Sequence, residues 1–178
     1  MQGYNLLISV PRRFERDARA EFWLLASALG DDTPFSKEIG ISGLILCKTR
    51  FNPKDFVTKV IHFKEQNPHW RFLYLLKIVP LDRIVERDVN VIVEIFNNLI
   101  QEANINPDLR FKVEVKERES KKVKSEIIEK LANLLRNPVD LDNPDIILRV
   151  EFLGRYCGIS ILTPEQVLSL SEGVMIKV

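Results

Sequence analysis

The stretch Phe111–Leu162 constrains the fold more than any other part of the chain. It begins with Phe111–Val115, in which apolar residues occupy every second position, as in a half-exposed strand. A basic turn leads into Lys121–Leu135, whose apolar residues recur at helical spacing. Two apolar runs, Ile146–Phe152 and Tyr156–Leu162, then form a strand pair around a glycine turn. This order predicts a unit of mixed helix and sheet.

The first half of the chain has its own alternation of strand-like and helix-like patterns. In chain order these are Tyr4–Val10 (strand), Phe14–Leu29 (helix), Phe35–Ile39 and Ile41–Thr49 (a hairpin around Gly40), Pro53–Glu65 (helix) and Trp70–Val79 (strand). Asn52 is a suitable N-cap for the second helix, and Pro53 fits its first turn. The order β-α-β-β-α-β predicts a ferredoxin-like domain, which has a four-stranded sheet with two helices on one face.

The pattern restarts after Pro80. Apolar residues at helical spacing predict a helix over Val85–Ala103, before the stretch described first. The C-terminal segment, Thr163–Val178, has the patterns of a short helix and a final strand or arm. We therefore expect an α/β chain of the α+β type with two domains, a ferredoxin-like domain at residues 1–76 and a second α/β domain at residues 77–178.

Basic residues are concentrated at one place in a nearly neutral chain. The 178 residues include 26 Lys+Arg and 25 Asp+Glu, which gives a formal net charge of +1. Residues 81–178 hold 14 basic and 17 acidic side chains, yet residues 110–124 hold seven basic side chains against three glutamates. Such a local excess is typical of a defined anion-binding face. The alternative is an ordinary solvated surface of a strand and a helix.

Residue patterns for catalysis or metal binding are sparse. His62 and His69 have no neighbouring Cys, Asp or Glu at metal-ligand spacing, and no glycine pattern of a phosphate-binding loop occurs. The GxxG at Gly40–Gly43 falls between two predicted strands, so we interpret it as a hairpin turn. We therefore expect no catalytic residue, no metal and no cofactor, and a binding protein rather than an enzyme.

The two cysteines, Cys47 and Cys157, lie in separate apolar runs and match neither a disulfide framework nor a zinc-binding pattern. A reducing, cytoplasmic location is the simplest interpretation. The N-terminus lacks the pattern of a signal peptide, and no apolar run is long enough to span a bilayer, so no membrane association is expected. An exposed strand edge in either half would allow a homodimer, although no pattern demands one.

The strand-to-helix turn Lys116–Lys124 is the strongest candidate for binding an anion. A helix start presents free backbone N–H groups and the positive end of the helix dipole. Arg118 can hold a phosphate through two hydrogen bonds, and Ser120 can cap the helix or bond a phosphate oxygen. On the hairpin tip, Arg155 offers a cation and Tyr156 a ring for base stacking, with core packing as the alternative for Tyr156. The candidate RNA-binding residues are Lys112, Lys116, Arg118, Ser120, Lys121, Lys122, Lys124, Arg155 and Tyr156.

A second group of cations surrounds the first predicted helix, where it can contact an RNA stem or orient the two domains. These cations are Arg12, Arg13, Arg16 and Arg19. Acidic residues follow at nearby positions of the same segment, namely Glu15, Asp17 and Glu21. Ion pairing within the helix is therefore the alternative to RNA contact.

Four pieces of the second half follow one another in a recognisable order. They are Arg118 near a strand end, the loop Asp140–Pro144, the residues Val150-Glu151 within a strand, and the segment Gly158–Ser160. In this order and spacing, the region of roughly Leu75–Thr163 resembles the THUMP domain. It looks most like the small THUMP-domain proteins that act as adaptors for tRNA cytidine N4-acetylation, in which a ferredoxin-like domain precedes the THUMP domain.

The resemblance implies a protein that binds the acceptor stem and the 3′ CCA end of tRNA and presents the tRNA to a separate RNA cytidine acetyltransferase. THUMP domains are usually fused to an enzyme, such as a 4-thiouridine synthetase, and this sequence lacks the motifs of those enzymes. Two alternatives stand beside this interpretation. One is a ferredoxin-like regulatory or protein-interaction module that does not bind RNA, and the other is a metal-dependent nuclease, for which clustered acidic residues are lacking.

Overall fold

The structure of the protein, a computed structural model, describes residues 2–117 and 121–170, with the backbone alone at Lys121. Its described part forms nine strands and four α-helices. In chain order they are β1 Leu6–Ser9, α1 Glu15–Ala28, β2 Phe35–Glu38, β3 Leu44–Lys48, α2 Pro53–Gln66, β4 Lys77–Pro80, β5 Arg83–Glu86, α3 Val89–Ala103, β6 Phe111–Lys116, α4 Lys121–Ala132, β7 Ile146–Leu153, β8 Tyr156–Leu162 and β9 Leu168–Ser169. The mixed α and β architecture predicted from the sequence is confirmed.

The chain divides into two compact units, one of residues up to 81 together with those from 166 onward, and one of residues 82–165. These limits differ from the predicted boundary after residue 76, which assigned the whole C-terminal segment to the second domain. The reason is that Leu168 and Ser169 pair with β4 and so return the chain to the first sheet. Residues 171–178 of that segment lie outside the described part.

The first unit has the predicted β-α-β-β-α-β order, followed by β9 as an added strand. Its sheet has the order β2-β3-β1-β4-β9, and every pair is antiparallel. Leu6 and Ile8 of β1 point to the same side of the sheet because side chains alternate along a strand. They pack in one core with Phe22 of α1 and Phe56 of α2, whose ring centroids lie 5.9 Å apart.

The second unit is a four-stranded sheet in the order β5-β8-β7-β6. The strands β6 and β7 are parallel, so the chain must cross over between them, and α4 lies in that crossover. Phe96 of α3 and Leu131 of α4 are buried against Val115, Val150 and Ile159 of the sheet. The alternation expected for Phe111–Val115 therefore places that strand's apolar side on the helices.

Two predicted elements have different limits in the structure. The predicted helix Val85–Ala103 begins as strand β5, and α3 starts only after Asp88, whose side chain accepts hydrogen bonds from the N–H groups of Asn90 and Val91. Residues 83–86 pair with β8 instead. The pattern did not predict this, because a stretch of four residues is too short for its periodicity to distinguish a strand from a helix. The predicted strand Trp70–Val79 is reduced to β4, since the backbone N–H groups of residues 73 and 74 donate to a carboxylate of α1 instead.

Local signals at turns and caps were more reliable. The GxxG segment joins β2 to β3, and Gly40 and Gly43 have φ angles of 73° and 85°, which confirms the hairpin-turn interpretation. Gly154 likewise has a φ of 69° in the turn between β7 and β8. Asn52 caps α2 by accepting hydrogen bonds from the N–H groups of Lys54 and Asp55 at 2.9 and 3.4 Å.

Replacement of this cap tests whether α2 depends on it. We expect Asn52→Ala to lower the free energy of unfolding by about 1 kcal/mol, because two backbone N–H groups lose their acceptor. Asn52→Asp retains an acceptor oxygen and should remain close to the wild-type value. Urea denaturation followed by circular dichroism measures both variants, and equal losses in the two would contradict a capping role.

Candidate nucleic-acid interface

One end of the second sheet gathers side chains from three separate segments. Parallel strands β6 and β7 end at the same edge, where Lys116 lies opposite Glu151. Strand β8 starts at that edge because Tyr156 pairs with Leu153 across the hairpin. Helix α4 also starts close to that edge, since only four residues separate it from the end of β6. We call this end of the sheet, with Lys116, Lys122, Lys124, Arg155 and Tyr156, the basic end.

The cations of the basic end are not neutralised by described carboxylates. Lys116, Lys122 and Arg155 are exposed, Lys124 is half-buried, and none of these four forms an ion pair with a described side chain. Elsewhere in α4 the situation differs, since Lys130 Nζ lies 3.3 Å from an oxygen of the Glu126 carboxylate. The basic end therefore keeps its positive charge available for an external anion.

Tyr156 is half-buried in the first position of β8, directly after Arg155. Part of this residue is thus accessible, directly after the exposed Arg155 in the chain. Three further candidates cannot be located in this way, since Arg118, Ser120 and the side chain of Lys121 lie outside the described residues.

Lys112 differs from the other candidate cations. Its Nζ lies 2.7 Å from an oxygen of Glu114, with about a fifth of each side chain exposed. Lys112 also lies four residues before the end of β6, where Lys116 is found. The structure therefore gives Lys112 an internal partner, and Lys116 is the more exposed of the two cations on this strand.

A buried arginine organises the face of the sheet on which Lys112 lies. Arg149 is 5% exposed and donates from Nη1 to Glu114 at 2.7 Å, and from Nε and Nη2 to Glu151 at 2.9 and 2.8 Å. Burial raises the pKa of Glu114, but the Lys112 hydrogen bond and the charges of Arg149 and Lys112 outweigh it, so the pKa is lowered. The charged groups connect β6 to β7 and so fix the position of Lys116 at the end of β6.

A second ion pair lies at the basic end itself. The Glu117 side chain is 2% exposed, and Arg87 Nη2 lies 2.6 Å from its Oε1. The backbone N–H of Arg87 donates to the carbonyl of Arg155 at 2.9 Å, and its guanidinium lies 4.4 Å from the ring centroid of Phe152. Arg87 thereby links the end of β6 to the hairpin tip, which holds Arg155 in position.

Sequence reasoning missed Arg87, Glu117 and Arg149 as organising residues. For Arg149 a signal existed, because a charged residue inside the apolar run of β7 must be paired if that strand is buried. No comparable signal marks Arg87 and Glu117, since their pairing joins segments 30 residues apart.

The arginines near α1 are not paired within the helix. Glu15 accepts from the N–H of Gly43 at 2.8 Å, and this hydrogen bond lowers its pKa. Glu21 accepts from the N–H groups of Leu73 and Tyr74 at 2.9 and 2.6 Å. Among the residues in view, no carboxylate forms an ion pair with Arg12, Arg13, Arg16 or Arg19. The alternative of pairing along the helix is therefore wrong for the described contacts.

Other chemistry is not indicated by the described side chains. Cys47 and Cys157 are buried free thiols, and burial raises the pKa of Cys157 to about 12. Within residues 2–117 and 121–170, no three His, Cys, Asp or Glu side chains are grouped as metal ligands would be. No helix in the same ranges is long and apolar enough to cross a membrane.

Comparison with known proteins agrees with this geometry. Residues 86–162, which hold the ion pairs of Arg87 and Arg149 and the basic end, match the family model described as the THUMP domain. Most of the second unit is therefore similar to THUMP domains. No curated protein matches the chain.

Solved structures share the fold across most of the chain. PH1313 from Pyrococcus horikoshii matches with a TM-score of 0.54 and 20% identity, over 89% of this chain and 55% of its own. TrmN from Thermus thermophilus matches with a TM-score of 0.55 and 13% identity, over 88% of this chain and 44% of its own. A 4-thiouridine synthetase–RNA complex with bound ATP has a TM-score of 0.49 and 17% identity, over 89% of this chain and 41% of its own. The chain thus spans about half the length of the structures that it matches.

The buried ion pairs of Arg149 can be tested through stability. We expect Arg149→Ala to lower the free energy of unfolding by about 3 to 5 kcal/mol, because two glutamates lose a shared buried partner. Lys112→Ala should cost less than about 1 kcal/mol, since that pair is partly exposed to solvent. Urea denaturation of both variants makes the comparison. A small loss for Arg149→Ala would show that the ion pairs do not organise the sheet.

Proposed function

We propose that this protein is a tRNA-binding adaptor in tRNA modification. Its THUMP domain binds the acceptor stem and the 3′ CCA end, and the protein presents the tRNA to a separate RNA cytidine acetyltransferase that forms N4-acetylcytidine. The chain itself carries out no chemical step in this proposal. It acts in the cytoplasm, where its buried thiols stay reduced.

The observation that carries the proposal is the match to the THUMP domain together with a basic end whose cations, from β6, α4 and the hairpin tip, form no ion pair with a described side chain. Lysines supply point charges for phosphates, and Arg155 can hold a phosphate in a bidentate manner. Tyr156 next to it offers a partly accessible ring to an unstacked base, which a single-stranded 3′ end provides. A duplex stem with an overhang therefore fits the basic end better than a duplex alone.

The acidic excess of this half of the chain does not oppose binding. Several of its carboxylates form ion pairs within the unit, since Glu117 is paired with Arg87, and both Glu114 and Glu151 are paired with Arg149. Arg110 holds Asp140 and Asp145 in the same way. These carboxylates thus have internal partners while Lys116, Lys122 and Arg155 remain exposed, which supports a segregated RNA-binding face.

The first experiment measures binding to a fluorescent tRNA acceptor minihelix, with and without its 3′ CCA overhang, at several salt concentrations. We expect tighter binding with the overhang, and log K to fall with log salt by about 0.7 to 0.9 per phosphate neutralised. The double variant Lys122→Ala/Arg155→Ala should bind more weakly and reduce the salt slope by about two, one for each cation removed.

Lys130→Ala is the matched control, since Lys130 lies on the same helix but is paired with Glu126. It should bind like the wild type. If the wild type binds neither RNA, or the control loses as much as the double variant, the basic end is not an RNA site. The ferredoxin-like interaction module without RNA binding then becomes the better explanation.

The adaptor role requires its own assay. Purified RNA cytidine acetyltransferase, acetyl-CoA and full-length tRNA are incubated with and without the protein, and N4-acetylcytidine is quantified after nuclease digestion. We expect the protein to increase acetylation at least tenfold, and the double variant to lose that increase in proportion to its weaker tRNA binding. Unchanged acetylation together with intact tRNA binding would overturn the adaptor role while leaving the RNA-binding role in place.

A further inference from the structure

We propose that the first unit has an RNA subsite on the side of its sheet that faces away from α1. One unpaired base stacks on the ring of Phe35, beside Tyr4, and Lys37 and Lys48 bind the flanking phosphates. We call these four residues the aromatic–lysine cluster. The subsite goes beyond the proposed contact of the basic end with the acceptor end of tRNA, because it belongs to the other unit and does not depend on that contact.

The pairing of β2 with β3 decides on which side of the sheet each residue lies. Ser36 Oγ accepts a hydrogen bond from Arg19 Nε of α1 at 3.2 Å, so Ser36 points to the helix side. Because side chains alternate along a strand, Phe35 and Lys37 point to the opposite side. Phe35 lies directly opposite Lys48 in the register, and side chains paired in this way share one face. The side that faces away from α1 therefore carries Phe35, Lys37 and Lys48.

Two aromatic rings form the apolar part of the cluster. Phe35 is 57% exposed, although phenylalanine is usually found inside a protein. Its ring centroid lies 6.1 Å from that of the half-buried Tyr4, and the two ring planes are inclined by 44°. Tyr4 thus supports Phe35 from one side, and the exposed part of the Phe35 ring remains accessible to a ligand. An exposed ring on a sheet is a flat apolar surface on which a nucleobase can stack.

Two lysines give the cluster a positive charge. The Lys37 ammonium lies 4.7 Å from the ring centroid of Tyr4, and Lys48 is exposed across from Phe35. The two lysines are diagonal neighbours in the register, and such positions lie about 7 to 8 Å apart. Glu38, the acidic residue of β2, falls on the helix side by alternation, and no carboxylate in the described ranges forms an ion pair with either lysine. Two like charges at this separation repel each other, so an anion bound beside them is favoured.

Hydrogen bonds at Thr49, one residue after β3, fix the backbone around the cluster. Asn5 Oδ1 accepts from the N–H of Thr49 at 3.0 Å, and Asn5 Nδ2 donates to its carbonyl at 2.9 Å, which fixes the segment that carries Tyr4. The buried Asp31 accepts from the Thr49 hydroxyl at 2.8 Å, which fixes the loop before β2. The three segments that carry the cluster are thus joined before a ligand arrives, and this lowers the entropic cost of binding.

A nucleotide fits the cluster better than a protein does. Specific protein interfaces cover about 800 Å² on each partner and have an apolar centre. Among the described residues of β2 and β3, Phe35 is the one large apolar side chain that is exposed. Addition of a peptide strand is also disfavoured, because the edge strand β2 has four residues and includes Lys37. A single ring between two cations matches an unpaired base between two phosphates.

Fluorescence anisotropy of labelled octauridylate tests the subsite. The whole protein carries Lys122→Ala/Arg155→Ala as a background, which weakens the basic end and leaves the aromatic–lysine cluster unchanged. In this background, Phe35→Ala should weaken binding roughly tenfold without changing the dependence of log K on log salt, because a stacking ring carries no charge. Phe35→Trp retains a ring and should bind at least as well as the background. Lys48→Gln should reduce the salt slope by about 0.7, the value for one phosphate contact on a single strand.

Trp23→Ala is the matched control, because Trp23 is an aromatic residue of similar exposure, 56%, on α1 and so lies on the other side of the sheet. It should leave the affinity unchanged. The proposal fails if Phe35→Ala binds like its background, or if Phe35→Trp or Trp23→Ala loses as much as Phe35→Ala. It also fails if an octaglutamate peptide displaces the RNA at equal concentration, since the cluster would then be a site for acidic proteins.

The minihelix titration measures the basic end separately. If minihelix binding does not depend on the CCA overhang while octauridylate binding depends on Phe35, the acceptor-end role is withdrawn and this subsite stands. If minihelix binding depends on the overhang and octauridylate binding does not depend on Phe35, the subsite is withdrawn and the acceptor-end role stands.

Discussion

The placement of the basic end depends on how Arg149 is held. Its guanidinium forms ion pairs with two glutamates on neighbouring strands, Glu114 on β6 and Glu151 on β7. A buried charge of this kind is tolerated only with partners in good geometry, so a shift of β6 by one residue would leave the arginine without Glu114 and bring apolar residues into its place. Lys116 is two residues beyond Glu114 on the same side of β6. Because the register is fixed, Lys116 at the end of β6 has one defined position relative to the β7–β8 hairpin.

In both units, carboxylates accept hydrogen bonds from backbone N–H groups. In the first unit, Glu15 and Glu21 accept such bonds from distant loops and form no described ion pair with the arginines near α1. In the second unit, Asp140 accepts hydrogen bonds from the N–H groups of Asp142 and Asn143. The pKa of Asp140 is lowered, and the hydrogen bond from Asn143 is the largest cause. Backbone donors lower the pKa of Glu15 and of Asp140, whereas burial raises the pKa of Glu21. Glu15 and Glu21 form no ion pair with a described arginine or lysine, and Asp140 pairs with Arg110. Net charge near zero is for this reason compatible with two cationic surfaces.

Periodicity and cap residues predicted most of the elements, and the exceptions have physical causes. Asn52, Gly154 and the alternation of β6 act locally, so the sequence alone was sufficient to identify them. The strand β5 was missed because four residues of a strand and one turn of a helix have similar patterns, and pairing with β8 decides between them. Five candidates of the basic end were predicted from the charge of residues 112–124 and from the hairpin tip. The pairing of Lys112 with Glu114, and of Arg87 with Glu117, depends on the tertiary fold, which sequence spacing does not reveal.

The solved structures separate what this chain shares with other proteins, which is the fold, from its own surface side chains. The matches cover close to nine-tenths of this chain but only about half of each longer protein. What is shared is therefore the fold of these residues. At such low identity the fold is retained while surface side chains are free to change. The cations of the basic end are features of this chain, so binding must be argued from them. Under the proposed function, a scaffold that holds these cations in fixed positions is prepared for the RNA before it arrives. Under the proposed function, chemistry on the bound tRNA is the task of a separate enzyme, and the accuracy with which this protein holds the RNA end determines which nucleotide that enzyme reaches.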